Sequence, residues 1–152
     1  MNKNAIQICL SILIAVMQPA IAGDANVDKS KVTTDSASLL FDAQVLDHFQ
    51  QGDSNKPSRA WLAFQVLLKS GVAARSKIDQ LLGSKSGGAR LYGAILLQQI
   101  DSAKATKLLK SWLNDKTRVV FSQGCAKEET TVGDLSKRLL KGEQLVMLKE
   151  PN

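Results

Sequence analysis

The side chains best suited to nucleophilic or metal chemistry are scarce in this chain. Without residues 1–22, which predict a cleaved export signal, one histidine, His48, and one cysteine, Cys125, remain. The partners of a cysteine–histidine dyad meet in space rather than in sequence, so a pairing of these two stays open. No GxSxG, no HExxH and no phosphate loop with its lysine is present. We therefore expect no cofactor, no metal ligand and no enzymatic activity, with a Cys125-dependent enzyme as the weakest alternative.

Cys125 itself admits three interpretations. Gly124 precedes it and indicates a sharp turn. We favour a buried thiol that behaves as a small apolar side chain, because cysteine outside disulfides is often interior. An exposed thiol in an oxidising compartment would instead form a disulfide-linked dimer. A reactive nucleophile would need partial exposure and a pKa lowered by a neighbouring cation.

Other titratable side chains predict little chemistry. Glu128 and Glu129 are adjacent, but they lie in a predicted strand with nothing to desolvate them, so we expect solvated carboxylates. His48 is expected near the C-terminal end of a helix, where solvent or the helix dipole satisfies it.

Positive charge is the more informative feature. The formal net charge is +6, and Lys104, Lys107 and Lys110 line one edge of a predicted helix, opposite its apolar stripe. A second cationic group lies on the last predicted helix and consists of Lys137, Arg138 and Lys141. Such stripes neutralise phosphates in nucleic-acid-binding proteins, but an exported protein rarely meets nucleic acid. We expect a solvated helix face, with another protein or an anionic envelope component as the alternative partner.

The first 22 residues predict export. Lys3 gives a positive start, residues 5–17 form an apolar stretch, and Ala20 and Ala22 give the small-residue pattern of a cleavage site. We place cleavage between Ala22 and Gly23, which predicts a periplasmic or secreted protein. A lipoprotein needs a cysteine at the position of Gly23, and the apolar stretch is too short for a stable membrane anchor.

The remaining chain predicts one domain. Residues 23–37 are polar and aperiodic and predict a flexible lead-in, and residues 38–142 predict a helical domain. Residues 143–152 predict a C-terminal tail with two alternatives, a strand against the hairpin or a docked segment without strand structure. Residues 91–97 contain no charged side chain, so the helix over 88–100 is apolar on every face and should be central. We expect deep burial for Leu91, Ile95, Leu109 and Trp112.

Apolar spacing and glycines predict six helices. The first begins at Ser38 and ends at Gly52, the second begins at Pro57, and the third ends at Gly83. The central helix, a fifth helix capped by Asp101 or Ser102 and a last helix capped by Thr131 complete the set. A short β-hairpin is predicted between Val119 and Thr131.

A shift of 31 residues aligns two of the predicted helical hairpins. Arg59 then falls on Arg90, and the apolar positions of both hairpins coincide in pairs: Trp61 and Tyr92, Ala63 and Ala94, Phe64 and Ile95, Ala74 and Ala105, Ile78 and Leu109. This pattern resembles the αα units of HEAT-like solenoids. The resemblance implies a mainly α fold, a right-handed stack of αα-hairpins. The alternative is that any two amphipathic hairpins align as well.

The second half of the chain also resembles small exported bacterial proteins of uncharacterised function. The matching pieces are residues 90–94 (RLYGA), Asp101, residues 119–120 (VV) and residues 124–125 (GC). This resemblance implies no activity, but Arg90 and Tyr92 become candidates for an interaction or other special role.

These patterns favour an exported, non-enzymatic binding module. Stacked helical hairpins present surfaces rather than dedicated catalytic pockets. An immunity or inhibitor protein that acts against an envelope-active enzyme is the alternative.

Overall fold

The structure is a computed structural model and describes residues 37–51 and 56–150. The predicted export signal and nearly all of the predicted lead-in lie outside these residues. Both therefore stay predictions.

The described residues are mainly helical and contain one small sheet. In chain order the elements are β1 (Val45–Gln51), α1 (Arg59–Ser70), α2 (Arg75–Leu82), α3 (Gly87–Ile100), α4 (Ser102–Ser111), β2 (Arg118–Gly124), β3 (Ala126–Thr131) and α5 (Val132–Leu140). A 3₁₀ turn (Gly71–Ala74) joins α1 to α2, and residues 37–41 are helical. The helices predicted from Pro57 onward are confirmed as elements, although α1 begins at Arg59 rather than at Pro57.

Helix α3 is the centre of the domain, as its composition predicts. All of its residues from Gly87 to Leu97 except Arg90 are buried. The helix contacts each of the other four helices and also β1 and β2. A helix surrounded on all sides gains nothing from a polar face, which is why its sequence lacks one.

Side-chain caps begin four of the helices. Ser58 accepts a hydrogen bond from Trp61 N–H at α1, Ser86 from Ala89 N–H at α3, and Asp101 from Lys104 N–H at α4. At α5, Thr131 Oγ1 accepts from Asp134 N–H and donates to the Asp134 carboxylate. These bonds satisfy backbone donors that have no partner inside the helix. The predicted caps at Asp101 and Thr131 are confirmed.

The sheet has the order β1-β2-β3. Strands β2 and β3 form the predicted hairpin, and β1 pairs in parallel with β2, Val45 opposite Val120. Helices α1 to α4 form the connection between the two parallel strands. The hairpin loop consists of Gly124 and Cys125, and the φ of +62° at Gly124 is that of a two-residue turn with glycine first.

The first predicted helix is wrong. Only residues 37–41 are helical, and the chain then enters β1. The helical spacing of Leu39, Ala43 and Leu46 places Leu39 on the inner face of that predicted helix, but Leu39 is 56% exposed. Its neighbour Leu40 is completely buried instead. The spacing of Leu46 and Phe49 fits a helix, but β2 has a free edge that a parallel strand completes. Such long-range pairing leaves no local period in the sequence.

Two expectations about burial need correction. Leu91, Ile95 and Leu109 are buried as predicted, but Trp112 is only half-buried because it ends α4 at the surface, beneath the guanidinium of Arg90. Cys125 is exposed, so its favoured interior position is wrong. A two-residue loop at the tip of a hairpin has no layer of structure above it that could cover a side chain.

The C-terminal segment docks but forms no strand within residues 141–150. Leu145 and Val146 are each 1% exposed. The backbone of Met147 is held on both sides: its N–H donates to His48 O at 2.8 Å, and its carbonyl accepts from Trp61 Nε1 at 2.8 Å and from Gln65 Nε2 at 3.2 Å. The tail therefore belongs to the core.

Candidate functional site

The two side chains suited to nucleophilic chemistry lie on neighbouring parts of the sheet. His48 is in β1, not near the end of a helix, and is half-buried; burial lowers its pKa. Cys125 is at the hairpin tip. Among residues 37–51 and 56–150, no group of three or more histidine, cysteine, aspartate or glutamate side chains is arranged to hold a metal ion.

Tyr92 has a structural role in the core. Its ring is fully buried and lies 5.8 Å from the ring of Phe64. Its hydroxyl accepts a hydrogen bond from Asp47 N–H at 2.8 Å, which attaches β1 to α3. Burial raises the pKa of Tyr92 far above its usual range, so it stays a neutral hydroxyl. With no exposed surface, this candidate residue has nothing with which to touch a partner.

Arg90 joins α3 to the loop after α4. Its Nη1 donates to Asp115 Oδ2 at 2.7 Å, and its guanidinium lies 5.3 Å from the centre of the Trp112 ring. Asp115 Oδ1 also accepts from Thr117 N–H at 2.8 Å. Burial alone would raise the pKa of Asp115, but the hydrogen bonds from Arg90 and Thr117 outweigh it and lower the pKa to about 2. The ion pair of Arg90 and Asp115 therefore holds α3 against the loop after α4.

Asp47 is a buried carboxyl group that the sequence analysis missed. It is 4% exposed, faces Ser122 across the β1–β2 pair, and its Oδ1 has no hydrogen-bond partner among the described residues. Burial raises its pKa, and the nearby hydroxyls of Ser58 and Ser122 and the charge of Lys127 offset this in part. No signal marks this aspartate in the sequence, because β1 becomes buried only when it packs against segments that are distant in the chain, β2 and α3.

The two carboxyl groups predict opposite pH dependences of stability. Asp115 has a lowered pKa, so its contribution is present above the ordinary value of 3.8 and is lost as the pH falls through about 2. Asp47 has a raised pKa, so its contribution to the free energy of unfolding is fully present below pH 3.8. That contribution is lost as the pH rises through the pKa of Asp47 in the folded protein. The melting temperature of Asp115→Asn minus that of wild type should become more negative as the pH rises. The same difference for Asp47→Asn should become more positive as the pH rises.

Thermal unfolding followed by circular dichroism between pH 2 and pH 7 measures both slopes. Each variant is the control for the other, because both remove one carboxyl group and conserve its size. Parallel slopes for the two variants would contradict the assigned pKa shifts.

The first cationic group forms a solvent-facing row, which we call the lysine ridge (Lys104, Lys107 and Lys110). All three side chains are exposed, while Ala105 and Leu109 on the other face of α4 are buried. No ion pair between described residues includes a ridge lysine. The ridge is therefore an uncompensated cluster of positive charge.

The second cationic group is largely neutralised. Lys137 pairs with Asp134 at 3.0 Å. Arg138 pairs with Glu128 at 3.0 Å and with Glu143 at 2.5 Å, and it lies 4.8 Å from the ring centre of Phe121. Glu128 is thus a partner in a structural ion pair. Lys141 is exposed and has no ion pair among the described residues, so one uncompensated charge remains at this group.

A groove of about 370 Å³ lies between the C-terminal part of α3, the start of α4 and the docked tail. Buried apolar side chains form its floor, namely Ile95, Leu139, Leu145 and Val146. Its polar lining includes Gln98, Gln99, Ser102, Glu143 and Gln144. Sequence reasoning missed the groove because the tail that forms one wall docks through backbone hydrogen bonds.

No protein-family model, no curated protein and no solved structure matches this chain. Within the part of the chain that the structure describes, no helix has the length and apolar character needed to cross a bilayer.

Proposed function

We propose that this protein is an exported, non-enzymatic binding module and that the lysine ridge contacts an acidic surface on a partner protein. The observation that carries the proposal is the contrast between the two cationic groups. Arg138 and Lys137 are held by carboxylates of this chain, whereas the ridge lysines have no internal ion-pair partner among the described residues.

The charge balance supports an anionic partner. The chain has 20 lysine and arginine side chains against 14 aspartate and glutamate side chains, a formal net charge of +6. The ridge places three of these charges at intervals of about 4.5 Å along the helix axis, since each residue of an α-helix rises about 1.5 Å. Positive fields of this kind accelerate association with acidic surfaces and favour them over neutral ones.

A protein fits the ridge better than an extended anionic polymer. The affinity of an anionic polymer grows with the number of charges neutralised. The three lysines span only about 9 Å along the helix axis, so they form a small patch. A patch of this size matches a cluster of carboxylates on a folded partner. The alternative partner is an anionic envelope component, and the binding experiment distinguishes it from a protein.

We also propose that the two helical hairpins are HEAT-like units stacked in a right-handed sense. The matched pairs from the 31-residue shift support this proposal: Trp61 and Tyr92, Phe64 and Ile95, and Ile78 and Leu109 are all buried. Helices α2, α3 and α4 also pack consecutively. Such a stack would leave the outer face of α4 free for a partner.

Replacement of the ridge by Lys104→Gln, Lys107→Gln and Lys110→Gln should weaken partner binding on the order of tenfold, since each exposed ion pair is worth about 0.2–1 kcal/mol. The mature protein, residues 23–152, is immobilised and exposed to an envelope fraction, and the proteins recovered are identified and titrated. The matched control replaces Lys69, Lys85 and Lys149, which are exposed on three other segments, with the same change of charge.

Several outcomes discriminate between the hypotheses. Loss of the recovered protein with the ridge variant but not with the control supports the proposal, especially if added salt weakens the binding of both wild type and control. A recovered hydrolase whose activity falls on binding would identify an inhibitor. Equal recovery by both variants, or recovery of an anionic polymer without any protein, would refute the proposal.

A further inference from the structure

Strand β3 forms an open edge of the sheet. The sheet has the order β1-β2-β3, so β3 is paired with a described strand on one side only. The opposite edge differs, because the carbonyl groups of His48 and Phe49 in β1 accept hydrogen bonds from Met147 N–H and Ser58 N–H. Residues 126–129, at the start of β3, are all exposed. An edge of this kind can pair with a further strand.

The backbone groups that face outward from β3 follow from its pairing with β2. Val120 N–H donates to Gln44 O and therefore points away from β3. In an antiparallel pair, a residue that turns its backbone groups away does so together with the residue opposite it, which here is Glu129. The alternation along the strand gives Lys127 the same direction and Glu128 the reverse. The N–H and carbonyl groups of Lys127 and Glu129 thus point outward, and they make no hydrogen bond with described residues.

The charges of β3 are complementary to those of a second copy of the same strand. Lys127 and Glu129 lie on one face, and neither forms an ion pair with a described residue. Glu128 lies on the other face, where Arg138 neutralises it at 3.0 Å. Charged side chains on an edge strand ordinarily oppose pairing. A lysine and a glutamate two residues apart, however, become opposite-charge pairs when the strand meets itself in the antiparallel direction.

One antiparallel register satisfies the backbone and the charges together. A hydrogen-bonded pair needs an outward-pointing residue from each copy, so the twofold axis passes through a residue of β3. An axis at Lys127 would oppose two lysines, and an axis at Glu129 would oppose two glutamates. An axis at Glu128 places Lys127 opposite Glu129 of the second copy, twice by symmetry. The two Glu128 side chains then lie beside the axis, where Arg138 of each copy already neutralises them.

We propose that two copies of this protein associate through β3, antiparallel about a twofold axis at Glu128, so that their two three-stranded sheets become one. Lys127 and Glu129 of each copy would exchange backbone hydrogen bonds and pair their charges across the axis. Because the contact is small, the dimer is weak and reversible. The inference goes beyond the proposed function and does not use the lysine ridge, which lies on α4.

A disulfide trap detects a weak dimer of this geometry. In the mature protein, residues 23–152, with Cys125→Ser, the variant Glu128→Cys places two thiols across the axis at a Cα separation of about 4.5 Å, which a disulfide spans. Mild oxidation should therefore give a covalent dimer that reductant dissociates. The control, Ala126→Cys in the same background, is two residues from the axis, so its Cα atoms lie about 14 Å apart and it should stay monomeric. Equal dimer yields from the two variants, or no dimer from Glu128→Cys, would overturn the proposal.

Charge reversal tests the register without a new thiol. Lys127→Glu and Glu129→Lys should each weaken self-association about tenfold in sedimentation experiments, because each puts like charges opposite each other at both pairs. The double variant restores opposite charges, and so does an equimolar mixture of the two single variants, so both should associate as wild type does. Equal association by all variants, or a monomeric wild type at about 1 mM, would overturn the proposal.

The same variants separate this inference from the proposed function. Lys127→Glu leaves the lysine ridge intact, so it should recover the same envelope protein as wild type while its self-association falls. Loss of self-association in the ridge variant, with no effect of Lys127→Glu, would overturn the β3 dimer.

Discussion

Replacing Gly88 by alanine is expected to destabilise the protein by about 3–5 kcal/mol. A β-carbon at this position would overlap the carbonyl oxygen of Ala43 and lie 3.3 Å from that of Val45. The Ala43 carbonyl accepts hydrogen bonds from Ala89 N–H and from the Ser86 hydroxyl. Relief of the overlap must push the start of β1 away from α3 and break these bonds. Because the obstacle is backbone, no change of rotamer can avoid it.

Chemical denaturation measures this loss, with Gly83→Ala as the control. A β-carbon on Gly83 would meet the carbonyl oxygens of Asp79 and Gln80 at 3.6 Å and 3.7 Å, which are ordinary contact distances. Its stability should change by less than about 0.5 kcal/mol. Similar free energies of unfolding for the two variants would show that β1 does not lie against α3 as described.

Removal of the residues after Gln144 is expected to cost about 4 kcal/mol or more. It deletes Leu145 and Val146, and burial of each such side chain contributes roughly 1.5–3 kcal/mol. It also takes away the Met147 carbonyl, which leaves the buried indole N–H of Trp61 without its acceptor, at a further cost of about 1–3 kcal/mol. Since small domains are stable by about 5–15 kcal/mol, much of the protein should unfold.

A truncation after Leu148 is the control for this prediction. It retains Met147 and removes residues 149–152, of which Lys149 and Glu150 are exposed. Its melting temperature should stay close to that of the full chain, whereas the longer truncation should lower it by more than about 10 °C. If both truncated proteins have the melting temperature of the full chain, the docked tail does not contribute to the core.

Most of the helical framework was predictable from the sequence. Helix α3 is apolar on every face and proves central, and the predicted positions of α2 and α4 are recovered. The hairpin follows from its β-prone strands and from Gly124 in the turn. These features depend on residues that are close in the chain, which is why local spacing, caps and turn residues reveal them.

The candidate interaction surfaces were only partly predictable. The lysine ridge follows from helical spacing, because three lysines opposite Ala105 and Leu109 must face solvent once those residues are buried. The neutralisation of the second cationic group was not predictable. Glu128 comes from β3 and Glu143 from the tail, and only the packing of α5 brings both to Arg138.

By itself, the sequence determined the mainly helical character, the central helix, the hairpin and the exposed lysines, because each results from periodicity or a turn within a few residues. The tertiary structure alone decided that residues 45–51 form a parallel strand, that Asp47 is buried and that Met147 anchors the tail. These features join segments separated by tens of residues. Their stabilisation comes from hydrogen bonds and burial that exist only after the chain has packed, so no local pattern records them.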